Sequence, residues 1–446
     1  MQKMKSTLIF VLLTMWTSPE LKAQTDAPND SVQLDEVVVR GARVVNRTDG
    51  KLIFPSEEIA KSASSGYTLL KMLPLPNVKV DDINETVSAA NSLMGNVQVR
   101  INDVEATTAD MQSLQPKEVE KVELIDRPGV RYGENVGIVI NVITRKVTSG
   151  YVVGTSGTLV PKADMVKGNA YTKINNGYNE LSINYSGYYN HSNGMSTVEN
   201  ADYLMSDNTY NKVKRNTNDI INRNTMHDIQ ARYSWINAEG TAFLTTLSTS
   251  IDNNPRDLNK TDVAYSNGRN ATETTDKSEK TLSPLLDLYF STKIGNNQSL
   301  IANATGLYTH TDYAYLFTSD DTSFGYNTLG KAWSLKSEAI YENRMKPFTL
   351  SAGLRYAQKS IDNDYSGDAT LVSQIHSSNI YAFSQIQGSL WKIGYMIGLG
   401  LSREYYRQGE TRYDRVWLRP KLNLSMPISK SLRLNYTLTS APASSK

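Results

Sequence analysis

The 446-residue sequence contains no cysteine and only four histidines. Without cysteine, the chain has no disulfides, thiolate nucleophiles, cysteine-based metal sites or lipid attachment point. The histidines are at least thirty positions apart, so no local i, i+4 pair supports a metal site; they are His191, His227, His310 and His376. The sequence also lacks a phosphate-binding loop and a Gly-x-Ser-x-Gly motif. We therefore expect no catalytic residues, no metal and no cofactor, and predict that the protein is not an enzyme.

The net charge is small, and long apolar runs are scarce. The formal net charge of +2 provides no basic field for nucleic acid. Beyond the N-terminal region no stretch approaches 18 consecutive apolar residues, so we do not expect membrane-spanning helices. Barrel strands are compatible with this composition, because they alternate lipid-facing apolar residues with polar ones. The 26 tyrosines against 8 phenylalanines favour such strands, since tyrosine suits positions with one end in lipid and the other in water.

The N-terminus has the pattern of an export signal. Lys3 and Lys5 precede a short apolar run at residues 8–16, and Ala23 ends a small-residue site at which we predict cleavage. A buried N-terminal helix is the less favoured alternative, because the run is short and a polar segment follows it. Residues 1–23 are thus predicted to be a signal peptide and residues 24–33 a flexible periplasmic tether.

The sequence patterns in residues 34–149 predict a small mixed α/β domain. A β-branched run at residues 34–39 favours an extended strand. Leu69, Leu70 and Leu73 share one face of a predicted helix, which serines cap and prolines end. Short strands are predicted at residues 78–80, 97–101, 119–125 and 137–143.

From residue 150 onward we count about thirteen long alternating strands. Leu181, Ile183 and Tyr185, for example, oppose Ser182 and Asn184. The segments run about ten to thirteen residues, enough to span a bilayer when tilted, whereas sandwich strands average five or six. Short turns alternate with long polar stretches, as expected for periplasmic turns and external loops. The stretches expected as loops are residues 191–224, 252–280, 312–330, 362–375 and 407–414.

The region at residues 34–149 resembles the plug of TonB-dependent receptors, the energy-coupled importers of the outer membrane, in its Bacteroidetes type. Four pieces in order carry the resemblance: residues 34–39 look like the TonB box, 69–74 like the plug helix, 95–100 like the strand that follows, and 119–144 like the closing plug motif. Two departures stand at Val99-Arg100-Ile101-Asn102 and Val136-Gly137-Ile138, where the family often has Arg-Gly and Gly pairs.

This resemblance implies the fold class. We expect a transmembrane antiparallel β-barrel with an N-terminal mixed α/β plug domain, residues 150–446 forming the N-terminal part of the barrel. The strands number about 13 of an expected 22, so the barrel is expected to be incomplete. A fragment of a longer gene and a truncated gene product are the two explanations that we weigh for this.

The resemblance also implies the function. We expect active, proton-motive-force-coupled uptake of a scarce ligand such as a siderophore, a glycan or cobalamin, in the cell outer membrane. The expected partners are TonB of the inner-membrane complex, outer-membrane lipid and an unknown small ligand, with a surface lipoprotein as a further candidate. Nucleic acid is not expected. The alternatives are a passive porin, a structural or adhesive barrel, and a non-functional truncated receptor. A plug-like first domain argues against the porin.

The segment implied to contact TonB consists of Asp35, Glu36, Val37, Val38 and Val39. An extended, valine-rich segment on a flexible tether can add as a strand to the edge of a partner's sheet. A first plug strand that stays paired in place is the alternative.

A second group of candidate residues is the plug–barrel latch, which consists of Arg127, Arg131 and Glu134. These charges flank Gly129 and Gly133 in the closing segment of the plug. We expect them to pair with the polar barrel wall and hold the plug until force arrives. Solvated loop charges are the alternative.

Overall fold

The computed structural model describes residues 42–47, 50–91, 95–126, 128–132, 136–145, 147–161, 164–320, 322–428 and 433–439. Asp35–Val39, Arg127 and Glu134 lie outside the described residues. Across these ranges no helix is long and apolar enough to cross a membrane. The described residues form a six-stranded mixed sheet, a two-stranded hairpin and a thirteen-stranded antiparallel sheet.

The first part of the fold is an α/β region at residues 42–145. Its elements are β1 (Arg43–Asn46), β2 (Gly50–Phe54), α1 (Glu57–Ser62), α2 (Gly66–Met72), β3 (Val78–Asp81), β4 (Thr86–Ala89), β5 (Asn96–Ile101), β6 (Val104–Glu105), α3 (Thr108–Ser113), β7 (Val119–Ile125) and β8 (Val136–Thr144). Short 3₁₀ turns occur at Pro116–Glu118 and Val130–Tyr132. The sheet order is β1-β2-β7-β8-β5-β6, and β5 runs parallel to β8.

The core of the α/β region follows the apolar pattern of the sequence. Ser65 caps α2 by accepting a hydrogen bond from the backbone N–H of Thr68 at 3.2 Å. Leu69, Leu70 and Leu73 are buried as predicted, against Ile53, Met111, Val122, Leu124, Ile138 and Ile140. The region therefore has its own apolar core, distinct from its contacts with the strands that follow.

The second part is the long sheet at residues 149–439, in which consecutive strands pair. Its strands are β9 (Ser149–Val160), β10 (Met165–Asn176), β11 (Asn179–Leu204), β12 (Tyr210–Ile236), β13 (Ala242–Tyr265), β14 (Asn270–Lys293), β15 (Gln298–Ser319), β16 (Thr322–Arg344), β17 (Phe348–Gly367), β18 (Leu371–Leu390), β19 (Ile393–Gln408), β20 (Thr411–Pro427) and β21 (Arg433–Thr439). The predicted thirteen strands and the α/β region that precedes them are confirmed.

The two faces of the long sheet differ in polarity. We call the face that contacts the α/β region the inner face and the opposite one the outer face. On β11, Leu181 and Ile183 are 44% and 46% exposed on the outer face, while Ser182 and Asn184 are buried on the inner face. The outer face of other strands carries exposed Ile229, Leu247, Leu286, Trp333, Leu354, Ile397 and Leu418. This arrangement inverts that of a soluble sandwich, which buries its apolar face.

The predicted long loops are wrong. Residues 191–224, 252–280, 312–330, 362–375 and 407–414 are mostly strand, and β11 to β20 run 16–27 residues each. Leu204 pairs directly with Tyr210, which leaves a connection of only 205–209. The antiparallel ladder needs only backbone groups, so a hairpin continues where the side-chain alternation that we read has faded. Register shifts on β11, β12 and β13 lie within these stretches.

Candidate functional site

Helix α3 is held to the long sheet by a buried ion pair. Asp110 forms a capping box with Thr107 at the start of α3. The same carboxylate pairs with Arg232 of β12, with Arg232 Nη1 2.5 Å from Asp110 Oδ2, and their side chains are 6% and 12% exposed. Gln230 Nε2 donates to Asp110 Oδ1 at 3.0 Å, and Thr107 Oγ1 donates to Gln230 Oε1 at 3.0 Å. One aspartate thus both starts the helix and fixes it to the strand.

Buried amides extend this contact along β10 and β11. Asn169 Nδ2 donates to Gln112 Oε1 at 3.0 Å and to Asn184 Oδ1 at 2.8 Å. Asn184 Nδ2 donates to the carbonyl of Ala109 at 3.2 Å. Because buried amides are costly to leave unpaired, this network fixes the position of α3 on the sheet.

Two lysines of β10 add ion pairs. Lys167 Nζ pairs with Glu85, and Lys173 Nζ lies 3.4 Å from Glu118 Oε2. Both lysines are on the inner face, which the alternation of β10 assigns to polar residues. The α/β region is therefore attached here mainly through polar groups.

Arg131 binds the opposite part of the inner face. It stands in the 3₁₀ turn Val130–Tyr132, and its Nη1 pairs with Glu342 of β16; the two side chains are 18% and 5% exposed. Arg344 Nε also donates to Glu342, at 2.7 Å. Arg355 of β17 donates to the backbone carbonyl of Arg131. Burial disfavours the charged guanidinium, but Tyr132, Glu342 and Asp103 raise the pKa of Arg131 above its ordinary value.

Val130 packs tightly beside Arg131. Its buried side chain contacts an apolar cluster on the inner face formed by Ile340, Tyr381 and Phe383. A Cβ on Gly129 would lie 2.0 Å from Gln385 Oε1, and one on Gly398 would lie 3.0 Å from Val130 Cγ2. A side chain at Gly129 would therefore require the end of the Gln385 side chain to move, and one at Gly398 of β19 would press on Val130.

Of the residues that the sequence predicted for the site, the structure brings Arg131 to the inner face, where its partner is Glu342. Arg127, Glu134 and Asp35–Val39 lie outside the described residues. Sequence reasoning missed Asp110 and Arg232. The pattern Thr107-x-x-Asp110 is a capping-box signal that could have located α3, but its partner strand is about 120 positions away.

No cluster of three histidines, aspartates and glutamates that could hold a metal ion occurs among the residues that the structure describes. The carboxylates of the interface are instead paired with arginine, lysine or amide groups. The site is therefore suited to holding two parts of the chain together by charge.

An α/β region seated on the polar face of an antiparallel sheet, whose other face is apolar, has the features of a plug against the wall of a membrane barrel. The solved structures that resemble the chain include the copper transporter OprC (TM-score 0.49, 14% identity, covering 88% of this chain and 62% of that one). The ferric citrate transporter FecA (0.45, 14%, 76% and 53%) and BauA, the ferric preacinetobactin receptor of Acinetobacter baumannii (0.45, 10%, 89% and 65%), also resemble it.

These neighbours are a copper transporter, a ferric citrate transporter and a ferric preacinetobactin receptor. At 10–14% identity the likeness does not extend to a ligand. The chain spans less than two thirds of the length of these neighbours, 53–65%. No protein-family model matches the chain, and no curated protein matches its sequence. The Bacteroidetes type stays a prediction.

Proposed function

We propose that this chain acts in a TonB-dependent outer-membrane receptor that takes up a scarce ligand by energy-coupled transport. The observation that carries the proposal is the attachment of the α/β region to the inner face chiefly by ion pairs and amide hydrogen bonds, through Asp110, Arg131 and Asn169. Such contacts can be exchanged for contacts with water, so the region can leave the wall without exposing its own apolar core.

The same geometry disfavours a passive porin. A porin keeps a polar, water-filled interior, whereas here the α/β region covers the inner face of β10 to β12 and β16 to β19. A region that covers the wall must move before a solute passes. This requirement supports the energy-coupled function.

Outer-membrane lipid is the proposed partner of the outer face. The outer row of β19 reads Ile393, Tyr395, Ile397, Leu399 and Leu401, with Gly398, Gly400 and Ser402 on the inner side. A continuous apolar row on an exposed face is the pattern of a strand that faces hydrocarbon.

Ile397→Arg is expected to destabilise insertion into lipid by about 2–4 kcal/mol, because it places a charge at the centre of this row. Ile397 is 56% exposed and pairs in register with Ile386 and Leu422, which are also apolar. Urea titration of the protein folded into liposomes measures the change. Leu204→Arg, at the tip of the β11–β12 hairpin, is the control and should behave as wild type; equal losses for both would contradict a lipid-facing row.

TonB is the proposed inner-membrane partner, and Asp35–Val39 the proposed segment that it binds. Deleting residues 35–39 is expected to abolish binding of the periplasmic domain of TonB, because the backbone edge that would extend its sheet is lost. Calorimetry with the purified domain measures this binding, and proton-motive-force-dependent uptake should be lost with it. Deleting residues 26–30 instead shortens the tether equally and should leave binding intact. If the 35–39 deletion left both readouts unchanged, the segment would be a fixed strand.

We further propose that Arg127, Arg131 and Glu134 form the latch that holds the closing segment of the α/β region. The pair of Arg131 with Glu342, reinforced by Arg355, supports this role. The proposed ligand is a siderophore, a glycan, cobalamin or a similar scarce molecule, and a surface lipoprotein is a further proposed partner.

A further inference from the structure

A cavity of about 350 Å³ lies where β17 to β20 approach their short connections. Its walls come from these strands, from the β16–β17 connection at Met345 and Pro347, and from Arg47, which follows β1 of the α/β region. We call this space the turn-end cavity. Its volume is at the lower end of the range for small-molecule sites.

The turn-end cavity is separate from the contacts of the closing segment. On β17, Ser351 lies beside Glu342, the partner of Arg131, while Thr349, one inner-face position nearer the connection, lines the cavity. On β19, Gly398 faces Val130, and Met396 lines the cavity in the same order. The cavity therefore lies between the latch and the short connections of the sheet.

The lining of the turn-end cavity is polar but nearly uncharged. Arg47 is the only charged residue among the described residues that line it, and its Nη1 lies 3.6 Å from Glu123 Oε1. Pro347 and Met396 provide apolar surface. The side chains with hydroxyl or amide groups are Thr349, Gln387, Ser389, Asn423 and Ser425. Such a lining suits an uncharged solute that has both hydrogen-bonding groups and apolar surface.

Asn423 of β20 is the residue in this lining that most clearly indicates a ligand. It is only 6% exposed, and Leu418 on the outer face places it, by alternation, on the inner face. Among the described residues, neither Oδ1 nor Nδ2 of Asn423 has a hydrogen-bond partner. Because buried amides are almost always hydrogen-bonded, this side chain calls for a partner that can both donate and accept.

We propose that the turn-end cavity binds a small, uncharged, hydroxylated molecule of monosaccharide size, with Asn423 as its central hydrogen-bonding residue. Each hydroxyl both donates and accepts, so two neighbouring hydroxyls can satisfy Oδ1 and Nδ2 together. The apolar side of a sugar ring can lie against Pro347 and Met396. A phosphate or a carboxylate is disfavoured, because Arg47 already pairs with Glu123. This inference rests on the cavity and goes beyond the proposed uptake.

Binding is measured by saturation-transfer difference NMR on the full chain folded in detergent micelles. The probes are D-glucose, D-galactose, D-mannose and N-acetyl-D-glucosamine, each titrated separately. We expect saturable binding of at least one of these four sugars to the parent protein. Asn423→Leu, which keeps the shape of the side chain and removes its donor and acceptor, should weaken that binding about tenfold.

A second variant tests the cavity without altering Asn423. Ser389 is exposed at the edge of the cavity, so Ser389→Trp can block the space without disturbing a packed core, and it should abolish binding. Leu390→Trp is its matched control, because Leu390 is the neighbouring residue on the outer face and is 65% exposed. Asn363→Leu, near the opposite end of β17, is the control for Asn423→Leu. Both controls should bind as the parent does.

A parent protein that binds none of the four sugars would overturn the inference. So would binding that survives Ser389→Trp, since the sugar would then occupy another place. Circular dichroism checks the fold of each variant, and if Asn423→Leu fails to fold, the comparison of Ser389→Trp with Leu390→Trp decides. A negative result would leave the proposed energy-coupled uptake standing, because that proposal is tested by the 35–39 deletion.

Discussion

Arg131→Ala is expected to weaken the docking of the closing segment by about 3–5 kcal/mol, the usual cost of breaking a buried ion pair. Glu342 would stay in its buried position, with Arg344 and Ser351 as its remaining neighbours. Arg344 is exposed, so it provides only a solvent-screened partner. Loss of the Arg131 guanidinium thus leaves a buried carboxylate insufficiently compensated.

Pulling on the segment at residues 119–145 measures this change as a lower release force, and hydrogen exchange of its amides measures it as faster opening. The control is Lys61→Ala, which removes an exposed i, i+4 pair with Glu57 on α1 and should change neither readout. Arg131→Ala combined with Glu342→Gln should cost less than the two single changes added together, because no uncompensated charge remains. If Arg131→Ala behaved like Lys61→Ala, Arg131 would be a solvated loop charge and the latch would be wrong.

Of the ion pair between Arg131 and Glu342, the sequence predicts Arg131 and misses Glu342. Arg131 lies in a glycine-flanked segment that resembles a plug closure, which makes it a local feature. Glu342 is 211 positions away. The register of seven intervening strand pairs, from β9 with β10 to β15 with β16, determines that it faces Arg131. A change of one residue in any of those registers would turn its side chain to lipid.

The same difference between local features and distant partners explains why the sequence did not predict α3. Its six residues are too few for an apolar period to emerge, and Met111 is the one large apolar side chain that it buries. What holds it is the capping box and the pairing of Asp110 with Arg232. Helix α2 was predictable because three leucines on one face direct it into the core. A helix that buries an apolar face can thus be predicted from the sequence, whereas a helix held by charges on a distant strand cannot.

The inner and outer faces of the long sheet were predictable because alternation is a local property of each strand. The length of the hairpins was not. Beyond the apolar rows, residues such as Thr217, Asp219 and Lys260 pair across strands with no alternation to mark them. Only the backbone hydrogen bonds between strands continue there, and they require no side-chain pattern that could be recognised in the sequence.

Asp110→Ala is expected to weaken both the start of α3 and its docking to β12. Besides its ion pair, Asp110 accepts from the backbone N–H of Thr107 at 2.9 Å and from Gln230 Nε2. Losing the N3 half of the capping box leaves the backbone N–H of Thr107 without its side-chain acceptor, and leaving Arg232 buried without its carboxylate costs about 3–5 kcal/mol. We expect faster hydrogen exchange at residues 107–115 with little change at residues 119–125.

Asp110→Asn separates the two contributions, because the amide oxygen still accepts from Thr107 while the negative charge is gone. It should retain the start of α3 and lose most of the docking, and adding Arg232→Gln should recover part of that docking by removing the unpaired charge. Asp82→Ala, which breaks an exposed pair with Lys71, is the control and should leave α3 unchanged. If Asp110→Asn matched wild type in exchange at residues 107–115, the cap alone would hold α3, and the charge of Arg232 would have no part in docking the helix.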